Sequence, residues 1–414
     1  MKTKISLYLS VMGAIGMLAS CSSDSPEVPG SVLESKTYTT TEQTLAITVD
    51  GQAPAGAMTV EFAPTAEGTA NITVKTDEMP INGFLGDMGS ALPEIKVPAS
   101  TFIPGATTFT IPVTLEGTED TCTFTGNAET EYCTYAYNGT VSADKMDLNV
   151  SDIKLKNTVM AGTYNMPAWN NDIPAILRMN WQSSKKVPSM FGELPISTIL
   201  SLSLAMVQVD VAGQKVPAAE ALTKVLKSVT FGEDGSVTAR YLDTEAENPA
   251  ETTSPKGLAR YVVKDDNTIL LFLDPAAIAA ANADEAEKAK TRADLDIDAL
   301  LNQVMTEIVP MISNGLPIHY GKSIRLDENG ANPTEIDDSN IVSFYLGTET
   351  LLPILKMAAP ILSDPDIIDA IVAIASQDPD MGGMASMMLP GMLQALPEIV
   401  DQTTTVEIGI NLTK

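Results

Sequence analysis

Between Tyr38 and Lys156 apolar side chains recur at every second residue, which restricts this stretch to short strands with one wet face and one buried face. Leu45, Ile47 and Val49 alternate, and Asp50-Gly51 then offers a turn. Met58, Val60 and Phe62 resume the pattern, followed by Ile72 and Val74. Phe109, Ile111, Val113 and Leu115 give the clearest run, and Met146, Leu148 and Val150 close the set. Tyr135 and Tyr137 lead into Asn138-Gly139, a hairpin-turn dipeptide. Seven or so such strands predict an all-β antiparallel barrel or sandwich over 37–156. Pro80 to Pro104 interrupts the alternation and is read as crossing an open end.

From about Asn157 the pattern becomes mixed. Ser228 to Asp243 reads as a hairpin around Gly232-Glu233-Asp234-Gly235, and Leu258 to Leu273 as a second, turning at Asp265-Asp266-Asn267. Ile341 to Leu346 and Thr404 to Leu412 are further strands. Between them Ile297, Leu300, Leu301, Val304, Met305 and Ile308 recur at helical spacing, and Asp364-Pro365 opens a helix carrying Ile367, Ile368, Ile371, Val372 and Ile374. The expected fold class is therefore mixed. An α+β domain over 157–414, with an antiparallel sheet and apolar helices, follows the β domain of 37–156.

The first residues are of another kind. Lys2 and Lys4 precede a short apolar run, Ile5 to Met17, and small residues lead to Leu18-Ala19-Ser20-Cys21. This resembles a bacterial lipoprotein signal peptide over 1–20, cut before a Cys21 that carries the lipid. The run is too short to span a bilayer, which takes ~20 apolar residues. Residues 21–36 are rich in Ser, Pro, Glu and Gly and read as a tether. The expected location is the cell envelope, lipid-anchored in the outer membrane, with the exposed face left open.

An oxidising compartment gives the other two cysteines a meaning. Thr121 to Cys133 reads as a hairpin turning at Asn127-Ala128, which would set Cys122 opposite Cys133 and join them in a disulfide. The chain has one histidine, so zinc is not expected, nor is any other cofactor. Its formal net charge of -28 argues against nucleic-acid partners and against docking on anionic headgroups.

Candidate catalytic patterns are thin. His319, in Leu316-Pro317-Ile318-His319-Tyr320, would have to serve any Ser-His-Asp arrangement, yet no Gly-x-Ser-x-Gly elbow is present. Ser183-Ser184-Lys185-Lys186 fits Ser-x-x-Lys without its companion motifs. Asp265-Asp266-Asn267 and Asp327-Glu328-Asn329-Gly330 lack the ligand spacing of a calcium loop and read as turns. Trp169 and Trp181, the only tryptophans, read as core rather than as a sugar platform.

Ile103-Pro104-Gly105 before a strand, the stretch Ser254-Pro255-Lys256-Gly257-Leu258-Ala259-Arg260-Tyr261, and the closing Glu407-Ile408-Gly409-Ile410-Asn411-Leu412 carry a resemblance. The chain resembles Bacteroidetes envelope lipoproteins of unknown function with a calycin-like β domain in front. The resemblance implies envelope location and binding of a small molecule or lipid by that barrel. It lends no catalytic residues. The residues point separately to an apolar lining. Met381, Met384, Met387, Met388 and Met392 crowd one segment, and Leu351 and Leu355 lie on a helix apolar almost all round. The expected function is a non-catalytic lipoprotein binding an apolar or amphipathic ligand, with a lipid-like molecule or an envelope protein as partner. A glycan-binding surface protein and an envelope hydrolase are the alternatives.

Overall fold

The computed structural model describes residues 33–66, 68–80, 96–98, 102–117, 120–189, 192–244, 248–281, 314–327, 330, 332–375 and 382–414. The protein is mostly β. Lys36–Thr39, Met58–Ala66, Thr69–Thr76 and Thr108–Thr114 form one sheet in that order. Leu45–Val49, Met146–Leu155, Cys133–Ser142, Thr121–Glu129 and Glu116–Gly117 form a second. The alternating positions are the buried ones: Val60, Phe62, Ile72, Val74, Ile111 and Val113 from the first sheet, and Ile47, Leu148 and Val150 from the second. Phe109 meets Tyr135 edge-on between the layers, with ring centroids 5.8 Å apart. The front strands are thus a sandwich, with one departure from an antiparallel plan. Leu45–Val49 runs parallel to Met146–Leu155. Period two marks which face is buried and carries no strand direction.

The second half of the chain corrects the expected layered α+β arrangement. Gly162–Asn165, Leu226–Phe231, Ser236–Asp243, Ala259–Asp265, Thr268–Leu273, Leu316–Gly321, Ile341–Leu346 and Thr403–Thr413 each pair antiparallel with the next. The last returns to the first through Asn165 and Thr413, closing an eight-stranded up-and-down barrel. A barrel is consistent with a calycin-like fold, but residues 162–413 build it, not the front strands. The two hairpins and two strands read from this half are all barrel staves. The helices are insertions between staves. Ile196–Met206 and Ala218–Val225 follow the first stave, and Thr348–Leu362, Pro365–Ala375 and Gly382–Asp401 precede the last. The segment 297–308 read as helical lies outside the described residues.

Side chains fill the barrel. Tyr164, Phe231, Tyr261 and Phe344 meet inside it, with neighbouring ring centroids 5.0 to 5.6 Å apart. Eight staves leave an interior about wide enough for such a filling. Beyond the barrel rim, Thr403–Thr413 continues against Leu177–Ser183. The helices pack on that ledge, where Trp181 and Val406 are buried with Ile196, Ile199, Ala359, Leu396, Ile399 and Val400.

Sandwich and barrel share one core, which runs from Leu33 to Leu412 without a break at residue 156. Leu33, inside the segment read as a tether, is buried in it. At the junction Gly105 has φ +79°, and a Cβ there would stand 2.5 Å from the Tyr132 ring. Only glycine allows that backbone and that approach.

The predicted disulfide is not formed. Thr130–Tyr132 makes the turn, not Asn127-Ala128: the Thr130 amide donates to the Cys133 carbonyl at 2.8 Å, and the Thr130 hydroxyl accepts from the amides of Tyr132 and Cys133. In the resulting register Cys122 faces Val141, while Cys133 sits beside the turn. Eight strand positions separate Cys133 from Val141, roughly 27 Å at ~3.4 Å per residue. Asn138-Gly139 is also mid-strand. Gly139 is required there because a Cβ would overlap the Asp147 carbonyl and meet Phe124 Cζ at 2.5 Å. Both thiols are buried, and burial pushes both upward in pKa. Native protein should therefore resist thiol labelling, and reductant should leave its Tm unchanged, whereas unfolding should expose both groups. A Tm that drops on reduction would contradict this register.

Candidate functional site

A cleft of about 310 Å³ lies where the sandwich meets the barrel. On the sandwich side Asp50 (φ 48°) and Gly51 (φ 81°) take the two left-handed positions of a tight type I′ turn, as that dipeptide predicts. The turn is closed by hydrogen bonds between Val49 and Gln52 of 2.8 and 3.0 Å. The following residues, Ala53 to Gly56, form one rim. Met58 and Phe102, both buried, lie beneath. On the barrel side Asp234 lies in the turn between the second and third staves and Ser236 opens the third, Lys256 precedes the fourth stave and Arg260 lies within it, and Asp274 follows the fifth. Tyr261 faces the barrel interior, so its neighbour Arg260 faces out toward the sandwich.

The charges in the cleft divide into a settled pair and an unsettled set. Asp234 accepts from the Ser236 amide at 3.0 Å and the Ser236 hydroxyl at 2.5 Å, and pairs with Lys256 at 3.3 Å. Burial pushes its carboxyl upward, but these donors outweigh burial and hold it below the usual range. Asp274 caps the helix Pro275–Ala281 by accepting from the Ala277 amide at 3.0 Å. Burial raises its carboxyl above the usual range, and the Ala276 and Ala277 amides and the Arg260 charge offset this only in part. The Arg260 guanidinium makes no hydrogen bond or ion pair with any described residue. Burial lowers its pKa, while the more distant charges of Asp234, Asp274 and Asp50 raise it. A guanidinium stays charged through such a shift.

The residues singled out from sequence sit elsewhere. His319 lies on the outer barrel wall in a cross-strand row, Thr268–His319–Tyr345–Gly409–Arg178. Its Nε2 is 2.5 Å from Glu349 Oε1 and its Nδ1 3.2 Å from Thr268 Oγ1. This hydroxyl–imidazole–carboxylate row has the order of a catalytic triad. Thr268 is only 4% exposed, however, and its hydroxyl donates to Asn267, so the row offers no accessible nucleophile. Ser184 bonds Gln402 and Lys185 pairs with Glu398, docking the Ser183–Lys186 stretch on the last helix. Trp181 is core.

Leu351, Leu355 and Met392 are brought together, but as packing against the cluster around Trp181 and Val406. That packing accounts for them without a ligand. Cys21, Met381 and the side chains of Met384, Met387 and Met388 lie outside the described residues. No described helix is long and apolar enough to cross a membrane. A wider groove of about 560 Å³ covers the outer face of the five-stranded sheet. Its polar groups satisfy one another, Thr48 to Asn149 and Asn149 to Asn138, each at 2.9 Å. Its one aromatic, Phe124, is buried and offers no stacking face.

Comparison with protein-family models, with curated proteins and with solved structures gave no match.

Proposed function

We propose that this chain is a lipid-anchored envelope protein, held to the outer membrane through Cys21, which binds a small polar ligand in the cleft between sandwich and barrel. The observation that supports binding is Arg260. Arg260 is half-buried, and a guanidinium partly withdrawn from water with no partner among the described residues is held at a cost in free energy. An anionic group entering the cleft would form the paired, charge-assisted hydrogen bonds that Arg260 lacks. The cleft is near the small end of the ~300–1,000 Å³ range of ligand sites. The reading is non-catalytic: the hydroxyl at the cleft that a carboxylate holds, Ser236 on Asp234, is buried, and its carboxylate is held below the usual range by the Ser236 amide and Lys256, which makes it a poor base.

The anchor and the site are tested separately. Cys21→Ala should move the protein from the membrane fraction to the soluble fraction, because the acyl chain is the proposed attachment. Retention in membranes after a salt wash would defeat the anchor. In thermal-shift titrations of the mature protein, small carboxylates should raise Tm, and Arg260→Met should remove the effect. Ligand at about a hundred times Kd adds ~2.7 kcal/mol, enough to read. An equal response from Arg260→Met would remove the cleft from consideration.

A further inference from the structure

We propose that the molecule recognised in this cleft is a small zwitterion, with a carboxylate set on Arg260 and an ammonium group set on Asp274. The inference rests on the reading of the cleft as a binding site and adds the class of ligand. Lys256 and Asp234 already neutralise each other as an ion pair. What remains is the positive charge of Arg260 and the carboxylates of Asp274 on the same wall and Asp50 on the opposite one, all lining the same 310 Å³. A simple dianion such as phosphate would satisfy Arg260 but face two carboxylates at short range. A simple amine would satisfy Asp274 and leave the half-buried guanidinium without a partner among the described residues. A ligand carrying both signs a few bonds apart settles both groups and adds no net charge to an acidic cleft. The planar fork of Arg260 suits a carboxylate, which it can take through two parallel hydrogen bonds. The volume holds a molecule of amino-acid to dipeptide size. Met58 and Phe102 beneath the cleft give its apolar part a surface.

The state of Asp274 agrees with this. Its carboxyl is under-compensated by its surroundings, and an ammonium group would supply the missing partner. Asparagine caps helices as well as aspartate does, so Asp274→Asn removes the charge and keeps the cap.

The test is calorimetric titration of the full mature protein with four classes of probe: zwitterions (the standard amino acids and dialanine), propionate, propylamine and inorganic phosphate. At least one zwitterion should bind ~10-fold or more tightly than propionate or propylamine, which is ~1.4 kcal/mol. Asp274→Asn should lose that advantage while binding propionate as well as wild type or better. Arg260→Met should lose both zwitterion and propionate. If propionate or phosphate matches the best zwitterion, or if Asp274→Asn leaves zwitterion affinity unchanged, the zwitterion is wrong and the cleft remains an anion site. If no probe binds at millimolar concentration, both the zwitterion and the underlying cleft reading fail. Asp50→Asn, on the opposite wall and in a different turn, should weaken zwitterion binding less than Asp274→Asn. A larger loss from Asp50→Asn would overturn the assignment of the ammonium group to Asp274.

Discussion

Phe344→Ala should destabilise the protein by about 3–5 kcal/mol, the range for emptying a large aromatic from a core. Phe344 is 6% exposed and stands inside the barrel, 5.2 Å from the Tyr164 ring and 5.4 Å from the Phe231 ring between centroids. Both neighbours would lose a partner, and aromatic pairs contribute ~0.5–1.5 kcal/mol each beyond area. The loss also reaches the barrel seam. The first and last staves meet through a single residue pair, Asn165 with Thr413, reinforced by the Thr413 hydroxyl donating to the Asn165 carbonyl at 3.2 Å. Tyr164, next to that seam, is held by the ring it would lose. Denaturant midpoints should fall, and amide exchange at the seam should rise more than in the sandwich. Tyr261→Phe is the internal control. Its hydroxyl is buried with no hydrogen-bond partner among the described residues, so removing it should be neutral or slightly stabilising. A Phe344→Ala cost below ~1 kcal/mol would mean that the four rings are not what holds the barrel.

The hairpins of this barrel are legible in the sequence, though the sequence places a barrel in the front strands and not here, and the reason they are legible is local. The turns Gly232–Gly235 and Asp265–Asn267 and the alternating strands beside them are fixed by nearby residues, and each hairpin appears where its turn chemistry puts it. Closure was not legible. It depends on Asn165 meeting Thr413, a contact between residues 248 apart in the chain, and no periodicity within a stave reports it. The failed disulfide has a related cause. Asn127-Ala128 and Asn138-Gly139 read as turns because asparagine and glycine favour them. The turn went instead to Thr130, whose hydroxyl holds two amides, and Gly139 proved to be a packing glycine under Phe124. The cleft was missed for a third reason. Arg260 and Asp274 are ordinary residues in sequence. They become unusual only when a sandwich turn some 200 residues earlier closes over them. The faint signal was alternation itself, which faces Tyr261 inward and therefore turns Arg260 outward, a costly place for a charge unless that face were wet or used.

The second large effect concerns Gly409, in the centre of the closing stave. Glycine inside a strand is poorly favoured by itself, and here it is enforced by both neighbours. A Cβ would overlap the Phe344 carbonyl and stand 2.5 Å from Tyr345 Cα and Cβ. Those are backbone and near-backbone atoms, so no rotamer change relieves them. The empty position also carries a charge across the sheet. Arg178, opposite Gly409 on the far side, lays its guanidinium over the Tyr345 ring at 4.0 Å. Arg178 is 8% exposed, donates to Glu407 at 2.7 and 3.1 Å and to the Lys322 carbonyl at 2.9 Å, and has no other route past a side chain at 409. Gly409→Val should therefore add the strain of overpacking, ~1–3 kcal/mol, to the loss of a buried charge's setting, for a total of about 4 kcal/mol or more. Glu407→Gln separates the two parts. It leaves the strand geometry alone, weakens the anchoring of Arg178, and should cost less than the valine. The comparison is read from equilibrium denaturation of the three proteins. A valine variant within ~1 kcal/mol of wild type would show that the closing stave can move away from Ile341–Leu346, and the barrel would then be held by its contents rather than by its ladder.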